Sequence, residues 1–308
     1  MRVVTILRIL AVITVSGLAA EQPSGNDPRG EFYRISRDLF EQAAPPGIRL
    51  LYAFPSREEW DFQVGRLERA LAGGSLNELA ALASEARPAL GALRLVPGSE
   101  EIADWLEQRV DAMEAAGQAV IPAPPPSVPA PKVIVQPVPH YSLWLERVKS
   151  RPVPARAREL MPRVQAVFRA EGVPPELAWL AEAESSFNPS ARSPAGARGL
   201  FQFMPDTARL LGLSTFLPDD RTDPDRSARA AARYLRGLHA RFRNWALVLA
   251  AYNAGEGRVG RLLASRRVET FTAVADALPA ETRMYVPKVC ALITTRTGVT
   301  PERIPPPR

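Results

Sequence analysis

Among the 33 acidic residues of the chain, one glutamate sits where an acid is costly. The segment Glu176-Leu177-Ala178-Trp179-Leu180-Ala181-Glu182-Ala183-Glu184 follows Pro174-Pro175, a natural helix start. It must stop near Asn188-Pro189, because the residue before a proline disfavours helical geometry. Leu177, Leu180, Ala181 and Glu184 recur at i, i+3, i+4 and i+7 and share the stripe that should face a core. Glu182 is expected on the opposite, exposed side. A carboxylate on an apolar face loses hydration, which disfavours its charged form and raises its pKa. Such a group stays protonated near neutral pH and can hand its proton to a leaving oxygen. On the helix alone, a structural glutamate paired with one of the many arginines is the better reading. The residues that follow change that balance.

Ser193-Pro194-x-Gly196 reads as a turn, and Gly199-Leu200-Phe201-Gln202-Phe203-Met204-Pro205 as a loop leading into a short helix over 206–211. Ala251-Tyr252-Asn253-Ala254-Gly255 ends an apolar helix, where Asn253 and Gly255 could serve merely as terminators. Glu281-Thr282-x-x-Tyr285-Val286 opens the last long helix, where an acidic residue favours the N-terminus in any case. Taken singly, each fragment is ordinary.

Taken in order, they resemble the goose-type-lysozyme-like family of lytic transglycosylases. The family's Glu-Ser pair is Glu184-Ser185; nine residues on comes Ser193-Pro194-Ala195-Gly196-Ala197, then Gly199-Leu200-x-Gln202-x-Met204-Pro205-x-Thr207-Ala208. The Asp223-Pro224 helix start, Tyr234-Leu235, Ala-Tyr-Asn-Ala-Gly and Glu-Thr-x-x-Tyr-Val also match, so the resemblance covers about half the chain, residues 142–297. It implies a lysozyme-like all-α catalytic domain with Glu184 as the sole catalytic carboxylate. Ser193, Gln202, Met204, Tyr252, Asn253, Glu281 and Tyr285 would line the glycan groove, and no metal or cofactor would be needed. The substrate would be peptidoglycan glycan strands, cut at the MurNAc-β-1,4-GlcNAc bond to leave 1,6-anhydro ends. Two readings rival it: a hydrolytic lysozyme-type muramidase, which needs a second carboxylate, and a non-catalytic peptidoglycan-binding or scaffold protein. Asp206, Asp219 and Asp220 are the spare acids nearest in sequence to the motifs, and none stands out.

The elements that must hold these residues are helices. Leu160, Val164, Val167 and Phe168 share a face before Gly172. Asp223-Pro224 starts a helix carrying Ala228, Ala231, Leu235, Leu238 and Phe242, and residues 245–251 are apolar all round, as in a buried core helix. The expected fold class is all-α throughout. A catalytic domain over 142–300 is preceded by a helical module over 27–118, in which Trp60, Val64, Leu67 and Leu71, then Ile102, Leu106, Val110 and Met113, repeat at helical spacing. Between them lies a linker, 119–140, with eight prolines from 121 to 139. Such a run favours extended polyproline II and reads as a semi-rigid spacer. The catalytic segment is expected to fold and cut without the module.

Charge divides the same way. Residues 21–117 carry 10 basic and 17 acidic side chains; residues 140–308 carry 26 and 16. The contrast suggests different partners for the halves, including a protein partner for the acidic module, whose role the residues do not indicate. A basic half suits any anionic polymer, but its cations are scattered between apolar positions without stacking aromatics, so nucleic acid is set aside. His140 and His239 are isolated, form no ligand cluster and are expected at the surface. Residues 1–20 read as a signal peptide, with Arg2, a short apolar run over 9–18 and small residues at Gly17, Ala19 and Ala20. The sole cysteine, Cys290, lies far from that site, so the expectation is an unlipidated, exported, soluble periplasmic monomer, with an uncleaved anchor as the lesser alternative.

Overall fold

The computed structural model describes residues 28–51, 53–121, 138–193 and 195–308. The signal segment, the proline run at 122–137 and Pro194 lie outside them. Among the described residues there is no strand, only isolated bridges in the loop that follows Asn188, and the all-α expectation is met.

Among the described residues the front module has six helices: α1 (Pro28–Ala43), α2 (Pro46–Leu51), α3 (Arg57–Ala72), α4 (Leu76–Ala81), α5 (Ala83–Leu93) and α6 (Glu100–Ala119). Helix α3 is opened by a capping box, in which the Ser56 hydroxyl accepts from the Glu59 N–H and the Glu59 carboxylate from the Ser56 N–H. Its Trp60, Val64, Leu67 and Leu71 are buried, as are Leu106, Val110 and Met113 of α6, so the two helical spacings mark the module's core.

The second half continues with α7 (Tyr141–Val148), α8 (Ala157–Ala170), a 3-10 turn (Pro175–Trp179), α9 (Leu180–Ser185), α10 (Pro205–Leu210), α11 (Pro224–Phe242), α12 (Trp245–Ala254), α13 (Glu256–Arg266) and α14 (Ala280–Thr297). Asp223 caps α11 by accepting from the N–H groups of Asp225 and Arg226. Helix α12 is buried from Trp245 to Ala251, as its composition demands. Helix α14 is the axis: it packs against α7, α9 and α12 of its own half and against α3 and α6 of the module. His140 and His239 are half-buried rather than surface residues. His239 lies against the Trp245 ring at 4.4 Å, and burial lowers the pKa of both.

The two halves meet through the charges that distinguish them. Asp111 of α6 accepts from Arg147 (2.9 Å) and Arg151 (3.0 Å) and lies 3.3 Å from Lys288 of α14. Burial alone would raise the Asp111 carboxyl, but Lys288, Arg151 and Arg147 hold it down at about 2. Burial lowers the Lys288 amine to about 8 against the pull of Asp111. The chain also crosses over by backbone: Ala280 N–H donates to the Gly73 carbonyl (2.6 Å), and the Arg283 guanidinium to that of Gly74 (2.6 Å). Part of the charge asymmetry seen in the sequence is therefore an internal complementarity, and the module is docked on the second half.

Candidate active site

Glu184 stands near the end of α9, a helix of six residues, and the chain leaves that helix abruptly. Ser186 and Phe187 both take left-handed backbone conformations, with φ of 51° and 61°. Their N–H groups donate back to Glu182 and Ala181, which closes the helix. The turn holds because Phe187 is fully buried with its ring edge-on to Trp179, so packing overrides the cost of two non-glycine residues in that region. Ser185, the second residue of the Glu-Ser pair, donates its hydroxyl to the Leu200 carbonyl (2.9 Å) and so ties α9 to the motif loop.

That loop is clamped from below. Arg221 is buried, donates to the carbonyls of Gly196 (2.8 Å) and Phe203 (3.0 Å), and is itself held by Asp219 at 2.8–2.9 Å. Gly199 has φ of 82°, and a Cβ there would fall 1.7 Å from the Arg221 carbonyl oxygen, so no other residue fits. Sequence reasoning missed this clamp; it treated Asp219 only as a spare acid. The arrangement removes Asp219 from that role. Asp206 pairs with Arg209, and Asp220 with Arg226 and the Ser214 N–H.

All eight residues singled out in the sequence converge. Glu184, Ser193, Gln202, Met204, Tyr252, Asn253 and Glu281 line one cavity of about 360 Å³, and the Tyr285 hydroxyl donates to the Glu184 carboxylate. Several are bound into the protein more tightly than their types suggest. Ser193 Oγ accepts from the Ala197 N–H (3.0 Å). Gln202, at φ of 47°, uses its amide nitrogen on the carbonyls of Gly199 (2.9 Å) and Ala191 (3.2 Å), which leaves its carbonyl oxygen to meet a ligand. The Tyr252 hydroxyl is committed to the Phe201 carbonyl (2.8 Å). Asn253 accepts from the Thr282 hydroxyl (2.6 Å). Burial pushes Tyr252 and Tyr285 well above 10, reinforced by the neighbouring Glu184 charge, so both stay protonated donors.

The electrostatics of Glu184 are those of a held proton. Burial raises its carboxyl from 4.5 to about 7, against the opposing influence of the Tyr285 hydroxyl, Arg109 and Lys288. No cation lies within salt-bridge distance of it among the described residues. Glu182 overturns the sequence expectation. It is 3% exposed and bound by Arg296 at 2.7 and 2.9 Å, with the guanidinium over the Trp179 ring. Helical spacing identified one buried stripe, but α9 is short and packed by α14, α6 and the 3-10 turn, so it has no solvent face.

The cavity also has a wall from the front module. Glu68, Leu71 and Ala72 of α3 and Arg109 of α6 line it, with Arg109 3.6 Å from Glu281. On the other flank of Glu184, a narrow slot is lined by Asp104, Trp105 and Gln108 of α6 together with Asn188 and Gln202.

Residues 165–273 match the family model described as the Transglycosylase SLT domain. The chain is 37% identical over 144 residues to the membrane-bound lytic murein transglycosylase D of Escherichia coli strain K12. That match covers 46% of this chain and 32% of that protein. It is 45% identical over 101 residues to the membrane-bound lytic murein transglycosylase F of Alcanivorax borkumensis, covering 30% and 20%. The chain thus spans a third or less of the length of these curated relatives. Among solved structures, the 70 kDa soluble lytic transglycosylase of Escherichia coli aligns over 90% of this chain and 44% of its own, with 20% identity and a TM-score of 0.43. The resemblance carried by the motifs is borne out for the matched stretch.

Proposed function

We propose, for a chain that carries a Transglycosylase SLT domain over residues 165–273, that it cleaves peptidoglycan glycan strands without water, with Glu184 as acid and then base. The observation that carries this reading is the state of Glu184: a carboxyl on the wall of an open cavity, protonated up to about pH 7 and free of any ion pair among the described residues. Glu184 gives its proton to the glycosidic oxygen as the bond to the anomeric carbon of N-acetylmuramic acid breaks. The resulting carboxylate takes the proton of the sugar's own C6 hydroxyl, whose oxygen closes on the anomeric carbon. The proton count balances, and the product ends in a 1,6-anhydro ring. Tyr285 holds the carboxylate through its hydroxyl and lowers the cost of the charged form between the two transfers. Ser193, Gln202, Met204, Tyr252, Asn253 and Glu281 form the groove, with Met204 an adaptable apolar wall.

A hydrolytic muramidase would place a second carboxylate beside a water. Asp206, Asp219 and Asp220 are engaged elsewhere, whereas Glu281 faces the same cavity and is paired with Arg109. Mass spectrometry of fragments released from purified peptidoglycan separates the two. Anhydro ends, lighter by one water, are expected; reducing ends would show hydrolysis.

The domain boundaries at 27–118, 119–140 and 142–300 belong to the same proposal, as do an exported, soluble, periplasmic monomer and a protein partner for the acidic module. No helix among the described residues is long and apolar enough to cross a membrane. Sequencing the N-terminus of the native protein tests cleavage after Ala19 or Ala20, and an intact Met1 start would overturn it.

A further inference from the structure

The front module matches none of the family motifs, yet two of its helices border the cavity that holds Glu184. We propose that this module forms one bank of the glycan groove and that Arg109 is its substrate-reading residue, donating to the acetamido carbonyl of an N-acetylated sugar. The proposal rests on the glycan-cleaving reading above and extends it to the part of the chain that precedes the matched stretch at 165–273.

Three observations carry it. Arg109 lies on the cavity wall, 20% exposed, among residues the catalytic half supplies for substrate. Its guanidinium is set over the Trp105 ring one turn earlier, 5.2 Å from the centroid, which fixes its plane before any ligand arrives. Its outer hydrogen-bonding capacity is unspent: the terminal nitrogen nearest Glu281 stands 3.6 Å from that carboxylate, too far for a hydrogen bond, and remains available to a ligand acceptor in the cavity. The surrounding charges select the kind of acceptor. Glu68, Glu184 and Glu281 share the cavity with Arg109 and Arg258, so the groove has no excess positive charge to attract a carboxylate. A neutral carbonyl oxygen, as borne by each N-acetylated sugar of the strand, suits it better. The anchorage makes the bank rigid: Asp111, two residues beyond Arg109 on α6, is held by Arg147, Arg151 and Lys288.

The test uses the full chain and steady-state release of fragments from purified peptidoglycan, before and after partial chemical removal of N-acetyl groups. Arg109→Gln should raise KM about three- to tenfold, as for one lost hydrogen bond, with kcat changed less than about twofold. Its melting temperature should stay near that of the parent. On de-N-acetylated substrate the KM difference between variant and parent should shrink toward one. A purely structural role would lower the melting temperature and kcat together without a selective rise in KM. An unchanged KM on native peptidoglycan would overturn the bank, and an equal penalty on both substrates would overturn the acetamido as its ligand. A parent chain that releases nothing would instead sink the glycan-cleaving reading beneath it, so the two failures are distinguishable.

Discussion

Two glutamates stand two residues apart on one six-residue helix, and the regions around them have opposite designs. Around Glu182 the protein has built a closed ion pair: Arg296 reaches in from α14 with two hydrogen bonds, and Trp179 covers the guanidinium. Around Glu184 it has cut back contact with water and supplied a neutral hydroxyl in place of a cation. Both carboxyls have lost hydration. The difference is the neighbour, and it decides whether burial yields a fixed charge or a transferable proton.

The comparison breaks most visibly at Glu184 itself. Glu184→Gln keeps the shape and removes the proton, so turnover of purified peptidoglycan should fall by at least about 100-fold and as far as 10,000-fold. Binding to the insoluble polymer should persist, because the groove residues remain. Full turnover by this variant would end the catalytic assignment and favour a binding or scaffold role.

At Glu182 the same kind of change should attack the fold. Glu182→Ala leaves the Arg296 guanidinium buried without its carboxylate, a loss on the order of 3–5 kcal/mol for a broken buried pair. Chemical denaturation should show the lowered midpoint, and activity should fall only as far as folded protein is lost. A stable variant with lowered kcat would mean that Glu182 acts on the chemistry after all.

The sequence made this contrast visible but reversed half of it. Spacing at i, i+3, i+4 and i+7 placed Glu184 on a buried stripe, yet periodicity says nothing about what covers the other side of a short helix. Arg296 is 114 residues away, and no local pattern points to it. The Asp219–Arg221 clamp escaped for the same reason, since its targets are backbone carbonyls of Gly196 and Phe203. Where the signal is local, reading was sound: the Asp223 cap, the buried run of α12 and the stripes of α3 and α6 all stand where spacing put them. The motif residues assembled although they come from four separate segments. The docking of the front module was legible only as a charge difference, because composition does not say which acid meets which base.

Stability should sharpen the comparison with a pH-dependent sign. The folded state raises the Glu184 carboxyl from 4.5 to about 7, so it binds the proton more tightly than the unfolded chain does. Stability therefore falls as pH rises between those values, and above about 7 the full cost of the buried charge remains. Glu184→Gln should relieve it, raising stability by about 3 kcal/mol at pH 8 and by almost nothing at pH 4. Thermal melts of parent and variant at both pH values check this. A gain of equal size at both would point to packing rather than charge.

The smallest expected effect concerns the hydroxyl that stands beside Glu184 in the place Arg296 takes beside Glu182. Tyr285 stays protonated, since burial and the nearby Glu184 both push its pKa well above 10, and it donates to the Glu184 carboxylate. That bond favours the charged carboxylate and opposes the rise caused by burial. Tyr285→Phe removes it while keeping the ring on α14. The plateau rate should fall about three- to tenfold, the size of one hydrogen bond, as the carboxylate between the two proton transfers loses its donor. The acid form should nevertheless persist to higher pH, so the alkaline limb of kcat/KM, expected near 7 in the parent, should move upward in the variant. Rate and limb then shift in opposite senses, which a general loss of packing would not produce. A limb that stays in place or moves down would show that Tyr285 supports the site by shape alone, and that its hydroxyl does not set the proton affinity of Glu184.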